Sequence, residues 1–372
     1  MVSHRCRACG SGRGDVVVDL GRQPACHTFP LSTDPGPDLT YPLRMWLCAS
    51  CGLAQLVEDP TVADEPRGIE PQALVRQAAE AVDRLADAGL LSAGHSVAEY
   101  GSPHGGSWLS LLTGRGLVPA ATGEQADLII DCFGLMHEAD QAAAMVERVD
   151  RLKENGVLLI QYHSLASIVR NGQWNALRHG HFAYYSTPAL TSMLSTAGLV
   201  ARAAWQFDLY GGTVLLAASR GGSPDTSVAM AISREIGTGV LDANSVSGLQ
   251  HTADNSTAEL RGWLESARTH PVYAYGAASR AVALLCRAGA TPRLLSAVAD
   301  ASPAKWGRRM PGTSIPVISP ATLVEADPAA VLLFLPDLLE EVSSALPELA
   351  GRLVVAESAQ AFGTPRIVEQ TR

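Results

Sequence analysis

The chain has no long basic run, and its formal net charge is −9 over 372 residues. A nucleic-acid binder needs a positive face to offset phosphate charge, so that class is excluded. No uninterrupted apolar stretch approaches the roughly 20 residues that span a bilayer, which excludes a membrane-embedded protein. The opening segment "MVSHRCRACGSGRGD" lacks the apolar core of a secretory signal. A cytoplasmic protein is the expectation from these absences. No internal repeat or low-complexity tract interrupts the chain, and 47% apolar with 17% charged residues is an ordinary globular composition. The seven cysteines are too few for a disulfide framework in a chain this long, and the cytosol keeps thiols reduced. The length exceeds what one compact core holds and predicts two or three domains.

Four of the cysteines form two hooks, Cys6-Arg7-Ala8-Cys9 and Cys48-Ala49-Ser50-Cys51, each followed by glycine (Gly10, Gly52). Two such hooks present four thiolates tetrahedrally, the donor set of a closed structural zinc site with no open position for catalysis. The residues between the hooks exceed what a compact zinc ribbon needs, so the insert is expected to form its own small lobe. Cys26, Cys132 and Cys286 read as scattered core thiols.

Residues 71–89, "PQALVRQAAEAVDRLADAG", carry helical apolar spacing with proline at the start. Strand and helix patterns then alternate: strands at 96–100, 127–133 and 157–163, helices at 105–113, 139–153 and 187–197, and closing strands at 199–208 and 213–218. Such alternation makes a largely parallel sheet covered by helices. Residues 221–270 are poor in strand signals and read as a linker followed by the helix "TAELRGWLESAR". A second α/β unit opens at "VYAYGAASRAVALLCRAG" with strand, glycine turn and helix, and continues through a helix at 320–327, a strand at 330–336, a helix at 337–349 and the strand "LVVAES". The predicted class is α/β: a zinc-binding lobe (1–60) and two doubly wound Rossmann-like units, 61–220, whose closing antiparallel pair resembles that of class I methyltransferases, and 221–372.

"CRACGS", "LGRQPACHTF" and "YPLRMWLCASCGLAQL" near the start, with "YAYGAASRAVALL" and "VADASPAKWGRRMPGTSIPVISP" near the end, resemble the three-domain C-methyltransferases of nucleotide-linked deoxysugars. The resemblance spans nearly the whole chain. It implies a zinc lobe, a central S-adenosylmethionine-dependent domain, and chemistry in which a base removes the proton beside a ketone so that the enolate carbon attacks a methyl donor. The segment "QYHSLASIVRNGQWNALRHGHFAYYS" occupies the active-site position. Where the family reads Tyr-His-Glu-His, this chain reads Arg178-His179-Gly180-His181. The tyrosine segment that follows the family's zinc lobe is replaced by "ADEPRGIEPQ", and the cofactor turn has become Glu99-Tyr100-Gly101-Ser102-Pro103-His104-Gly105.

Binding S-adenosylmethionine in this fold takes a close-approach glycine turn, an acid gripping the ribose and a partner near the adenine. Here Gly101 remains of the turn, the ribose acid has to come from Glu124, and the strand carrying the adenine partner has no room. Binding of that cofactor is therefore expected to be weak or lost. In an extended segment His179 and His181 point the same way, and an imidazole near its ordinary pKa of about 6.5 exchanges protons near neutral pH. His181 is assigned the proton transfer, His179 and Arg178 the tuning of the enolate, and His163 is a further catalytic candidate at a strand end. The turn Tyr275-Gly276-Ala277 opens a helix suited to phosphate, and Lys305, Arg308 and Arg309 suit a diphosphate. The expected activity is proton removal and return beside the ketone of a nucleotide-linked sugar, the nucleotide being thymidine diphosphate, in antibiotic-type deoxysugar metabolism: an epimerisation or isomerisation. The alternatives are a working C-methyltransferase and a catalytically silent sugar-nucleotide binder. The oligomeric state is left open.

Overall fold

The computed structural model describes residues 4–34, 36–61, 68–101 and 106–355. Among them lie three sheets. The first is antiparallel and built from β1 (Gly14–Pro24), β2 (Thr40–Cys48), β3 (Ala54–Leu56) and β8 (Ala183–Tyr184). It is not closed on itself, because β8 comes from the active-site segment far along the chain. The insert between the cysteine hooks supplies β1 and β2 of this lobe and packs against the unit of the last sheet. Leu20, Phe29, Leu43 and Met45 share one apolar core with Leu285, Met310 and Ile315 of the last sheet's unit. A hairpin of this size buries too little by itself to stand alone.

The second sheet runs in the order β5-β4-β6-β7-β10-β9, from β4 (Ser96–Gly101), β5 (Val118–Pro119), β6 (Ala126–Cys132), β7 (Leu152–His163), β9 (Val200–Phe207) and β10 (Thr213–Ser219). The first four are parallel and β10 is antiparallel to both neighbours. β6, "ADLIIDC", is buried at six of its seven positions, as a parallel strand covered on both faces must be. The helices are α1 (Gln72–Asp87), α2 (Leu109–Thr113), α3 (Gln141–Asp150), α4 (Leu165–Arg170) and α5 (Thr187–Thr196). α2 starts later than the sequence predicts. Residues 102–105 lie outside the described residues, and Ser107 and the Trp108 N–H are tied to the Glu99 carboxylate at 2.6 Å each.

The third sheet is wholly parallel, with strand order β13-β12-β11-β14-β15: β11 (Val272–Tyr275), β12 (Val298–Ala299), β13 (Val317–Ile318), β14 (Ala330–Leu333) and β15 (Leu353–Val355). The order reverses beside β11, the switch point at which open α/β sheets form a crevice. The expected linker is instead helical, as α6 (Thr226–Gly237) and the 24-residue α7 (Ala243–Ser266). α7 buries Val246, Leu249, Ala253, Leu260, Trp263 and Leu264. Small polar residues, Ser256 and Thr257, complete that stripe, which is why composition hid its helical period. The helix after β11 is α8 (Ser279–Arg287), whose stripe of Ala281, Val282, Leu284 and Leu285 is buried.

Candidate functional site

Cys6, Cys9, Cys48 and Cys51 bring their four Sγ atoms within 4.8 Å of one another. The Cys6–Cys51 and Cys9–Cys48 separations are 3.5 and 3.7 Å. Zn–S bonds of about 2.3 Å in a tetrahedron set sulfur–sulfur edges of roughly 3.8 Å, so the donor set fits one zinc ion. Cys51 is pushed up and Cys6 is pushed down to about 5, chiefly by the hydrogen bond between them. Four thiols so close ionise together only around a cation. The tight turns are held by Gly10 N–H to the Cys6 carbonyl and Gly52 N–H to the Cys48 carbonyl, both 2.9 Å, with φ of 69° and 75° at the glycines.

A cleft of about 250 Å³ lies between the second and third sheets. His163 at the end of β7, Arg178, His181, Tyr210, Arg280 and Glu70 are among the residues that line it. Arg178 Nε donates to His181 Nε2 at 2.8 Å, and its Nη1 donates to the Ser279 hydroxyl. The His137 ring packs edge-on to His181 at 4.6 Å and is fixed by its own Nδ1 bond to the Gly180 carbonyl, 2.8 Å. Arg280 lies over the Tyr210 ring at 4.8 Å, and burial, with Arg178 next, lowers its pKa to about 10. Two guanidiniums in one cleft suit an anionic ligand.

His179 does not share this cleft. Residues 178–181 form a turn, closed by His181 N–H to the Arg178 carbonyl at 3.3 Å, with Gly180 at φ 82°. The period-two argument fails for a turn. His181 faces the cleft, while His179 faces the first sheet, with Nε2 3.3 Å from the Pro42 carbonyl and its ring against Tyr41. Glycine suits the left-handed backbone that position 180 takes in this turn.

The phosphate prediction also needs correction. Arg309 pairs with both carboxylate oxygens of Asp38, at 2.7 Å each, and Arg308 Nη1 donates to the Phe29 carbonyl at 2.7 Å. The two arginines pin Phe29, Asp34 and Asp38 to the third sheet's unit, and neither lines the cleft. Lys305 does line it, but its ammonium is bonded to the Ala277 carbonyl at 2.8 Å. The Ala277 N–H, which a phosphate would use, donates to Asp300 Oδ2 at 2.8 Å. Tyr275 and Gly276 line the cleft. Arg280, unremarked in the sequence, supplies the cation there. Its signal was position, one residue into the helix that the glycine turn opens.

On the cofactor side the turn 102–105, with Pro103 and His104, lies outside the described residues. Gly101 ends β4 without lining the cleft, whereas Gly106 does line it, at φ 88°. A Cβ at Gly106 would come within 2.7 Å of Glu70 Oε1. Burial, then Glu99, raises the Glu70 carboxyl. Glu124 is exposed in the turn after β5 and does not line the cleft. β5 is two residues long and is followed by alanines, with no acid at its end. Gly106 and Glu70 lie together at the cleft beside the end of β4, and Glu124 lies away from it.

Residues 6–62 match the model of a zinc binding domain, and residues 208–356 match the model of the C-methyltransferase C-terminal domain. The second match takes in β10 as well as the third sheet. The chain is similar to the C-methyltransferase NovU of Streptomyces niveus, 23% identical over 94% of both chains. Among solved structures it is similar to an O-methyltransferase family protein from Burkholderia thailandensis, at 15% identity and TM-score 0.31, covering 41% of this chain and 59% of that one. It is also similar to the 1,6-didemethyltoxoflavin-N1-methyltransferase of the same organism, at 13% identity and TM-score 0.30, covering 46% and 96%. These structural likenesses are too low to argue from, and the assignment rests on the sequence matches. The chain belongs to the C-methyltransferase family that joins an N-terminal zinc-binding domain to the C-methyltransferase C-terminal domain.

Proposed function

We propose that this protein is an enzyme that removes a proton from the carbon beside the ketone of a nucleotide-linked deoxysugar, with His181 as the base. The observation that carries the reading is the Arg178–His181 contact in a cleft that Arg280 also lines. A guanidinium has no acceptor, so His181 Nε2 presents its lone pair to Arg178 and the ring is held as a base. When the diphosphate of the substrate draws Arg178 toward itself, that lone pair is released beside the sugar. Arg280 and the cleft wall of Tyr275 and Gly276 hold the anionic end, and the buried setting strengthens the charge interactions that stabilise an enolate.

For the fate of the enolate the first reading is C-methylation, which the relationship to a C-methyltransferase along 94% of both chains supports. S-adenosylmethionine supplies an electrophilic methyl group when bound. The second reading is return of the proton, giving an epimer, and the acid-free two-residue edge strand favours it. One experiment separates them. The protein is incubated with a thymidine-diphosphate-linked 4-keto-6-deoxyhexose in deuterated buffer, with and without S-adenosylmethionine, and mass spectrometry reads gains of one or fourteen mass units. Deuterium gain with no methyl gain supports epimerisation, and methyl gain supports methylation. His181→Asn is expected to lower either rate by about 10²–10⁴ with little change in nucleotide affinity. Equal rates in wild type and His181→Asn would refute the assignment of the base.

A further inference from the structure

The turn that carries Arg178 and His181 closes its backbone on a long bond, His181 N–H to the Arg178 carbonyl at 3.3 Å, which is weak by the usual geometry. At its apex Gly180 has φ 82°, and a glycine left to itself visits either sign of φ about equally. Two side chains from elsewhere in the fold hold that apex. The Gly180 N–H donates to Asp59 Oδ2, and the Gly180 carbonyl accepts from His137 Nδ1 at 2.8 Å. One clamp lies on each side of the Gly180 Cα, so both peptide planes that set its φ and ψ are fixed. A carboxylate accepting from a backbone N–H is among the stronger hydrogen bonds, which makes Asp59 the firmer of the two.

Asp59 lies three residues past β3, and its carboxylate is itself braced. Thr61 donates to Oδ1 from its N–H and its hydroxyl, at 3.0 and 2.6 Å, which turns Oδ2 toward Gly180. The first sheet repeats the attachment just beyond His181. Leu56 N–H donates to the Phe182 carbonyl at 3.1 Å, and Gln55 and Ala54 pair with Ala183 and Tyr184. The zinc-binding lobe thus grips the chain on both sides of His181, and neither Asp59 nor Gly180 lines the cleft. Arg178 is anchored separately, by its N–H to the Tyr184 hydroxyl at 3.1 Å and by its guanidinium to Ser279. Release of the Gly180 backbone therefore displaces His181 first, and a reacting group misplaced by about 1 Å costs about 10²-fold in rate.

We infer that Asp59 is a positioning residue for the enolising reaction: by holding the Gly180 N–H it fixes the turn that sets the His181 imidazole against Arg178 and into the cleft. The inference rests on the reading of His181 as the base. Asp59 meets neither the substrate nor the proton being moved, and it acts only through the backbone of the turn. Its loss should therefore lower turnover and leave substrate binding in place. A second change that releases the same backbone should add little to that loss, because the turn is released already.

The test uses the full-length protein. With ¹⁵N-glycine labelling, and the Gly180 signal identified by its loss in Gly180→Ala, the Gly180 amide proton is expected downfield, as in short charge-assisted hydrogen bonds. It should move upfield in Asp59→Ala and Asp59→Asn. In deuterium exchange into the thymidine-diphosphate-linked 4-keto-6-deoxyhexose, Asp59→Ala is expected to lower kcat by about 10–100-fold with KM within threefold. Asp59→Asn, which keeps an acceptor oxygen, should recover at least threefold of that loss. Gly180→Ala has space for its Cβ but a backbone that alanine disfavours, so it should lower kcat without touching Asp59. The double variant should stay within threefold of the poorer single one. An Asp59→Ala variant exchanging within threefold of an active wild type, a Gly180 amide proton that the Asp59 variants leave in place, or losses that multiply in the double variant overturns the inference. If Asp59→Ala does not fold, the amide shift in Asp59→Asn and the turnover of Gly180→Ala decide. A wild type that catalyses no exchange, or that His181→Asn equals, overturns the reading of the base and this inference with it. An active wild type that depends on His181 but not on Asp59 overturns this inference alone.

Discussion

Replacing Arg309 with methionine removes one half of a buried ion pair while keeping most of the side-chain stem. Its guanidinium meets Asp38 at 2.7 Å on both prongs and the Thr313 carbonyl at 3.0 Å, and Asp38 also accepts from the Gly312 N–H at 2.6 Å. The two side chains are 7% and 14% exposed. Burial raises the Asp38 carboxyl, but the Arg309 and Gly312 hydrogen bonds outweigh it and hold the carboxyl below its ordinary range. The variant therefore leaves an ionised carboxylate with one N–H partner in a place that water scarcely reaches. Breaking one side of a buried pair costs about 3–5 kcal/mol, and the residual access of Asp38 puts the expected loss near the lower figure, about 3 kcal/mol. Urea unfolding is the assay, with the midpoint expected to fall at unchanged slope. A second substitution, Asp38→Leu, in the Arg309→Met background should recover most of the loss, since no unpaired charge then remains. Nucleotide-sugar affinity by calorimetry should stay within twofold. A variant that unfolds at the wild-type urea concentration yet binds nucleotide tenfold more weakly would show that the pair is not structural and that Arg309 serves the ligand.

Metal analysis is expected to return about one zinc per chain, and Cys48→Ser or prolonged chelation should lower the thermal midpoint, because metal binding is part of the folding energy; clearly substoichiometric metal with four freely titrating thiols would count against the site. His163 and His179 are both held below the ordinary histidine value, first by burial. The unfolded chain, protonating near pH 6.5, then binds more protons than the folded one below that pH. Their contribution to stability is complete above about pH 6.5 and is lost as pH falls, by up to about 1.4 kcal/mol per unit for each ring. Urea midpoints measured from pH 7.5 down to 5.5 should show this slope, and it should lessen in His179→Leu. Gly212 sits at φ 147°, and a Cβ there would meet Ser167 Oγ at 2.0 Å. Gly212→Ala should cost about 1–3 kcal/mol by overpacking, and a variant as stable as wild type would show that the Ser167 side chain gives way freely.

Local patterns account for most of the elements. The alternation of buried strands with amphipathic helices was legible from 72 to 219 and again from 272 because each element carries its own period. Only the second half of α7, within "TAELRGWLESAR", was legible; its first half was read as linker, since Ala253, Ser256 and Thr257 interrupt the large apolar residues of its buried face and lower the contrast that the eye reads. At the candidate site, His181, Arg178 and His163 were legible from segment position. His179 was misjudged because one left-handed glycine, Gly180, turned the segment that a strand would have kept straight. Arg308 and Arg309 looked like ligand cations because their acidic partner and the carbonyls they hold lie some 270 residues earlier in the chain.

The sequence by itself determined the two cysteine hooks and the succession of α/β units, for these depend on short spacings and on each element's own period. Tertiary structure alone decided which charges face the cleft. Arg309 and Arg308 are held by Asp38 and Phe29, and Lys305 is bonded to Ala277, while Arg280 and Arg178 present their guanidiniums at the cleft. The reason is physical: a side chain's reach is set by local geometry, but its partner is whatever folding brings within about 3 Å, and in a buried cleft that partner fixes whether the group binds a ligand or braces the fold.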